Sequence, residues 1–493
     1  MSSAAADDLA ALLRSRIPLV VIESRDEARV RSLVLSAAGQ NRPALPVFEW
    51  LVTEGLRRTD TDLGSAQRFN SEPTQVLRSI RDGIAGIYVL LDFHPYLDDP
   101  VNLRLLKDIA QDYPRVPRTV VLLSQELALP GELESYSTRF DIAFPSREER
   151  RAIVEETARE WARERGSLVR ADEESVTRLV ENLAGLSTSD TQRLARAAIY
   201  DDGAVTASDS PAVMRAKYEL LNRGGVLSFE YDTAGMADVA GLGHLKEWLT
   251  RRRAAFDGTA PGLDPPRGVL LLGVQGCGKS LAAKASAGIF GVPLLRLDLA
   301  GVHDKYVGES ERRLRESLAT ADVMAPCVVW IDEIEKGLAP SDGDTGTSSR
   351  VLGTFLTWLA EKDGHVFVVA TANDISALPP ELIRKGRFDE VFFVDLPTAA
   401  VRAEILALHA TRRGIALDPA ALEGLAAATE GFSGAELEQA IASAEYAAHA
   451  QGRAVGAAHV LDEVRATRPL SVVMAERVAA LRDWASARTV PAG

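Results

Sequence analysis

Thiols are nearly missing from this chain: its 493 residues hold 2 cysteines, Cys277 and Cys327. That excludes a secreted disulfide framework and a cysteine-based metal cluster, and it points to a reducing compartment. Positive charge is also short, with 56 lysines and arginines against 70 acids and a net charge of −14. Such a balance offers no bulk attraction to a polyanion, so nucleic acid is not the expected partner. No apolar stretch approaches the roughly 18 residues that cross a bilayer, and no membrane segment is expected. The opening MSSAAADDLAALL carries acids where a secretory signal carries basic residues. There is no H-E-x-x-H zinc-protease pattern. The remaining composition, 46% apolar and 26% charged, is ordinary for a globular protein, and the length suits two or more domains. A cytoplasmic location is the expectation.

What is present begins at residues 268–280, GVLLLGVQGCGKS. Val269 to Leu272 reads as a buried strand, too short for a helix and flanked by glycines. It runs into Gly273-Val-Gln275-Gly276-Cys277-Gly278-Lys279-Ser280, which fits G-x-x-x-x-G-K-[ST], and then into the helix former LAAKASAGIF from Leu281 on. Glycines let backbone N–H groups approach phosphate oxygens closely, and a helix N-terminus adds positive potential. Lys279 is placed to reach the β- and γ-phosphates of a nucleotide, and the Ser280 hydroxyl to ligate Mg²⁺. The plain alternative, a glycine-rich turn before a helix, is opposed by the acids that follow downstream.

The first half contains strands but no such loop. IPLVVIE (17–23) is β-branched and is followed by a helix capped by Ser24 or Asp26, with no glycine loop and no lysine between them. IYVLLDFH (87–94) and TVVLLSQ (119–125) are further strands, and YDDGAVTASDSP near 200–211 reads as a loop. Features of this half recur later in the same order. The strand ending in Asp92 parallels VVWID (328–332), LPGEL (129–133) parallels LPPEL (378–382), and Arg139-Phe140-Asp141 parallels Arg387-Phe388-Asp389. AGLSTSDTQRLARAA (184–198) likewise parallels EGFSGAELEQAIASA (430–444). The near-constant spacing suggests an internal duplication whose first copy has lost its chemistry, with Phe93 standing where the second copy has Glu333. His94 reads as a structural histidine at a strand end.

In the second half the order is FEYDTAGMADVAGLGHLKEWL (229–249), the phosphate loop, DKYVGESERRLRE (304–316), VVWIDEIEK (328–336), SDGDTGTSSR (341–350), FVVATAND (367–374) and LPPELIRKGRFDEVFFVDLP (378–397). A strand ending in Asp332-Glu333 sets one carboxylate toward Mg²⁺ and the next toward an attacking water. At this point the chain resembles the AAA family of P-loop ATPases, at full motif strength over about 229–470. The whole length, including the tail PLSVVMAERVAALRDWASAR, resembles the uncharacterised-reading-frame AAA proteins of plastid and cyanobacterial genomes.

The resemblance implies roles residue by residue. Asp332 holds the metal, Glu333 activates the water, and Asn373 matches the first sensor, while Thr371 reads as packing. Arg384 and Arg387 match the arginine fingers, which act on a neighbouring subunit's nucleotide and so imply a ring. Asp238, Val239 and Ala240 match the segment that contacts adenine, and His409 a position near adenine or ribose. Gly434 and Ala435 match the second sensor region, but without its arginine, leaving only backbone to approach the nucleotide. Lys305, Tyr306 and Val307 resemble the first pore loop, and SDGDTGTSSR sits where the second would be. Two departures stand out: Val274-Gln275 replaces the usual proline-rich start, and Cys277 replaces threonine. A thiol at a helix N-terminus beside a lysine is either a small residue that fits the turn or an oxidisable brake.

The expected architecture is α/β, with two tandem P-loop or AAA-like modules. Each has a parallel sheet with flanking helices plus a helical lid, and the first lacks the phosphate loop. The expected boundaries are 1–145 for the degenerate domain, 146–225 for its lid-like helices and linker, 226–397 for the catalytic domain, and 398–493 for the lid and tail. The expected activity is ATP hydrolysis with ATP and Mg²⁺, in a homo-hexamer that remodels or translocates a protein partner. The alternative is a nucleotide-gated oligomeric switch that threads nothing.

Overall fold

The computed structural model describes the chain except for residues 1–2, 25, 42, 61–69, 126, 222–225, 231–238, 261, 300, 302–308, 339–344, 363–364 and 385. The chain divides into two units, Met1–Ala207 and Ser208–Gly493. No helix among the described residues is long and apolar enough to cross a membrane.

The first unit is built on β1 (Leu19–Glu23), β2 (Val47–Leu51), β3 (Gly55–Arg58), β4 (Gly86–Leu91), β5 (Arg118–Ser124) and β6 (Ser137–Arg139), ordered β3-β2-β4-β5-β1-β6. All neighbours are parallel except the β2–β3 edge. Strands β4 and β5 are buried at every position, the pattern of a sheet covered on both faces. Side chains alternate between two cores: Leu19, Val21, Tyr88 and Leu90 face one, and Val20, Ile22, Ile87 and Val89 the other. Helices Arg147–Arg165, Glu173–Asn182 and Thr188–Asp202 follow, with the two-residue strands β7 (Arg170–Ala171) and β8 (Ala204–Val205). The polar stretch read as a loop is therefore the end of a helix, β8 and a short turn.

The second unit contains β9 (Leu227–Glu230), β10 (Gly268–Gly273), β11 (Leu294–Leu297), β12 (Cys327–Ile331), β13 (Val366–Ala372), β14 (Glu390–Val394) and β15 (Val490–Pro491). Their order is β9-β11-β12-β13-β10-β14-β15. Five strands, β11-β12-β13-β10-β14, repeat the first unit's β2-β4-β5-β1-β6, so both units share one topology. The lid is formed by helices Ala399–Arg412, Pro419–Ala428, Gly434–Ala450 and Ala457–Ala466. Helix Ser210–Leu221, expected in the linker of the first module, instead packs on the second unit: Met214 and Tyr218 share a core with Leu227 and Leu295.

The duplication extends to the lids. Arg402 donates to the carbonyls of Ala426 (2.8 and 3.0 Å) and Pro397 (2.9 Å). Arg150 does the same to Val180 (2.9 Å) and Pro145 (2.7 Å). Ser433 and Ser187 each cap the helix that follows.

Two of the sequence parallels need correction. Among the non-glycine residues with positive φ are Asp92 (51°) and Glu333 (48°), each turning the chain just beyond its strand. Asp92 therefore stands in the place of Glu333, not Asp332, and Phe93, fully buried, is not its counterpart. The Arg-Phe-Asp parallel is out of register: Arg139 ends β6 and Phe140 N donates to Val21 O in the middle of β1, whereas Arg387 to Asp389 precede β14 and Asp389 N donates to Gly268 O at the start of β10. Arg139 lies in β6 and pairs with Glu23 at 2.8 Å.

Arg402→Ala removes the donor from two carbonyls and is expected to cost about 2–3 kcal/mol of lid stability. Hydrogen exchange in helix Ala399–Arg412 should accelerate while the amides of β12 and β13 keep their protection; uniform change across both would contradict this.

Candidate functional site

The site lies at the carboxyl ends of β10, β12 and β13, where β10 sits between β13 and β14 and the chain's direction of travel across the sheet reverses. Gly273 ends β10 under the β14 backbone: a Cβ there would lie 2.0 Å from the Val394 carbonyl oxygen. Gly276 has φ +77°, and a Cβ on it would crowd Ser433 and Ala435 of the lid. The helix Lys279–Phe290 then starts from Gly278, its left-handed N-cap.

Lys279 is buried, and its ammonium donates to the carbonyls of Gly273 (2.9 Å) and Val274 (2.8 Å). Burial lowers its pKa to about 8. A buried cation satisfied only by neutral carbonyls is a standing attraction for an anion.

The acids are organised by β13. Thr371 Oγ donates to Asp332 Oδ1 at 2.6 Å and accepts from Glu333 N at 3.0 Å. Asn373 Nδ2 donates to Glu333 Oε1 at 2.9 Å, and Asn373 N to Glu335 Oε1 at 2.9 Å. Lys336 pairs with the other oxygen of Glu333. Ser280 Oγ reaches Asp332 Oδ1 at 3.4 Å. Burial raises the pKa of Glu335. Asn373 Oδ1 and Glu335 Oε2 are buried without a hydrogen-bond partner. The Lys279 ammonium and the Ser280–Asp332 pair fit a phosphate-bearing ligand with a divalent cation, and the Asn373 Oδ1 acceptor fits a water beside them.

A cavity of about 630 Å³ takes in Lys279, Ser280, Asp332, Glu333, Thr371 and Asn373, with Val239, Ala240, Gln275, Gly276, Cys277, Gly278, Leu281, His409, Gly434 and Ala435 among its walls. The lid touches the loop directly, with Ala435 N donating to Gly276 O at 3.0 Å. His409 is lowered in pKa, chiefly by burial, and lies 3.7 Å from Glu438. Arg384 and Arg387 do not line this cavity. Arg384 is exposed, and Arg387 donates to the Leu356 carbonyl of its own unit. Asp238, Lys305, Tyr306 and Val307 lie outside the described residues. Of SDGDTGTSSR, Thr345 to Arg350 begin helix Thr345–Glu361 rather than forming a loop.

Thr371 is not packing, as read from sequence, but the link between Asp332 and Glu333. A lone hydroxyl in the otherwise apolar run VFVVATA was the available signal, and the structure leaves it 1% exposed. Nothing local marks the tail. Val490 and Pro491 add β15 beside Phe392 and Phe393, and Ala492 and Gly493 continue along the cavity wall. Arg477 pairs with Asp374 at 2.7 Å and Arg482 with Asp395 at 2.8 Å, tying the tail helix Ala475–Ser486 to both ends of the site. Burial pushes the Cys277 thiol up to about 12, outweighing Lys279 beside it, which favours the small-residue reading over the oxidisable brake.

Three family descriptions match the chain. "ATPase family associated with various cellular activities (AAA)" covers residues 269–396. "SpoVK-like AAA ATPase, N-terminal domain" covers 5–142, and "SpoVK-like AAA ATPase, second domain" covers 148–224. The AAA domain-containing protein ycf46 of Guillardia theta is 35% identical over 486 residues, spanning 97% of this chain and 94% of that protein. The proteasome-activating nucleotidase of Aeropyrum pernix is 40% identical over 201 residues, 39% of this chain and 49% of that one. The cell division cycle protein 48 homolog of Archaeoglobus fulgidus is 37% identical over 213 residues, 41% of this chain and 28% of that one.

Two outcomes are expected. The folded-state pKa of Lys279 is depressed from 10.5 to about 8, so between those values the unfolded chain binds more protons and stability rises with pH. An anion requires the charged form, so nucleotide affinity should fall as pH rises above about 8, with proton uptake in calorimetry; Lys279→Arg should flatten the profile. Cys277→Ser should keep wild-type nucleotide affinity, and peroxide at neutral pH should leave the wild type's affinity unchanged.

Proposed function

The chain belongs to the AAA family of ATPases, alongside the ycf46 proteins, and on that premise we propose that it is a ring-forming ATPase whose hydrolysis cycle remodels or translocates a protein partner. One observation carries the catalytic part. Thr371, Asp332, Glu333 and Asn373 form a single hydrogen-bonded group facing Ser280 and Lys279. ATP is held by Gln275 to Leu281 and the lid residues Gly434 and Ala435, with its base beside Val239, Ala240 and His409. Ser280 and Asp332 hold Mg²⁺, which supplies charge neutralisation at the phosphates. Lys279 exchanges its two carbonyl partners for phosphate oxygens. Glu333, oriented by Asn373, takes up or directs the proton of the attacking water. Its pairing with Lys336 competes with that role and is released for turnover.

The exposure of Arg384 outside its own cavity supports a role on a neighbouring subunit, in a homo-hexamer. Arg387, bonded to Leu356 within its own unit, supports the same role less strongly. The similarity of 39% of the chain to a proteasome-activating nucleotidase supports the motor reading over the switch. Lys305-Tyr306-Val307 is the proposed grip on the partner chain: one aromatic per subunit around a channel holds an extended polypeptide without sequence preference.

Glu333→Gln is expected to bind ATP but to lower turnover about 100-fold or more. Light scattering should show it held in the assembled form by ATP and not by ADP, and rapid turnover would remove the role given to Glu333. Tyr306→Ala should retain basal hydrolysis and lose work on the partner; a switch would be indifferent to that substitution.

A further inference from the structure

The first unit retains half of the same cleft. A cavity of about 390 Å³ is walled by Leu33, Ile142, Pro145, Ile153 and Thr188, with Arg29 and Glu149 at its side. That volume lies within the roughly 300–1,000 Å³ of small-molecule sites. Its position in the fold is that of the base-side half of the second unit's cavity. Ile153 lies on the lid helix clamped by Arg150 and Pro145 just ahead of it, as Ile405 and Pro397 do for the helix clamped by Arg402. Thr188 opens helix Thr188–Asp202 as Gly434 opens Gly434–Ala450.

The phosphate end is closed by the chain itself. Asp26 is the N-cap of helix Glu27–Gly39, as Gly278 is of Lys279–Phe290, and Glu27 holds the place of Lys279. Asp26 is 8% exposed. One oxygen accepts from Arg29 N (3.4 Å), and the other from Thr188 N (3.1 Å) on the lid. Two helix N-termini, which elsewhere would face a phosphate, are thus already satisfied by a resident carboxylate. A phosphate brought to this point would lose those donors and meet Asp26 and Glu27 at close range. The walls beyond it remain suited to a flat heterocycle. Leu33, Pro145 and Ile153 offer apolar surface; at its edge stand Glu156, Arg159 and the Arg29–Glu149 pair, 3.8 Å apart, whose Glu149 Oε2 also accepts from Ser146 N (3.0 Å).

We propose that the first unit binds a phosphate-free nucleoside in this cleft, and that Asp26 is the residue that keeps nucleotides out. The site is separate from the ATPase site and does not depend on the motor reading of the second unit.

Calorimetry on the full chain with adenosine as the probe tests this. Adenosine should bind at one equivalent to a chain carrying Ile405→Trp, which fills the base side of the second unit. It should bind at least about tenfold more weakly to Ile153→Trp, which fills the first. ATP titrations should show the reverse pattern, so a failed ATPase assignment would appear in the ATP arm alone. No saturable adenosine binding, or binding lost in Ile405→Trp and kept in Ile153→Trp, overturns the proposal. Photolabelling of the wild type with 8-azidoadenosine needs no substitution. Label mapped to residues 142–159 and displaced by adenosine but not by ATP supports the site; label confined to 397–409, or displaced by ATP, refutes it.

Discussion

The bond from Thr371 to Asp332 is the constraint on which the second unit's site depends. It joins the carboxyl ends of two adjacent parallel strands, both buried along their length. Because the hydroxyl also accepts from Glu333 N, it holds the left-handed turn that swings Glu333 off the strand axis and toward Asn373. A non-glycine residue in that conformation costs on the order of 1–2 kcal/mol, which persists only where surrounding bonds over-determine it. The acids are thus held by the sheet, with the loop and lid arranged around them.

The same scaffold without those groups is the first unit. Strand order, lid clamps and even the left-handed turn are kept, with Asp92 in the turn. What changes is charge at the helix N-terminus. Where the second unit has a glycine cap and a lysine, the first has Asp26 and Glu27. A bound anion and a resident carboxylate meet the same donors, so the substitution preserves the closed lid of the first unit while removing its phosphate site.

In the second unit, closure involves the tail. The strand β15 extends the sheet beside β14, and two arginine–aspartate pairs fasten the preceding helix next to Asn373 and at the end of β14. Those pairs are partly exposed and individually weak, so the strand's backbone bonds and the burial of Leu481 and Ala492 carry most of the docking.

The phosphate loop, the Asp332-Glu333 strand end, Asn373 and the tandem α/β architecture were legible in the sequence. Each depends on a short stretch whose spacing alone dictates local geometry: glycines before a helix, acids at the end of an apolar run. The cap of the first unit's helix was narrowed to Ser24 or Asp26 for the same reason, and the fold selected Asp26. Tertiary structure alone decided the rest. Strand register, set by burial across the sheet, moved Asp92 opposite Glu333 and put Arg139 out of step with Arg387. Desolvation raises the Cys277 thiol where its neighbours in sequence pointed to lowering, because the dielectric around a side chain is made by distant residues. Long-range pairing brought Thr371 to Asp332 and Pro491 to Phe393. Spacing along a chain encodes what neighbours in sequence can do; what a group meets across the sheet, and how much water is left around it, exists only once the strands are paired.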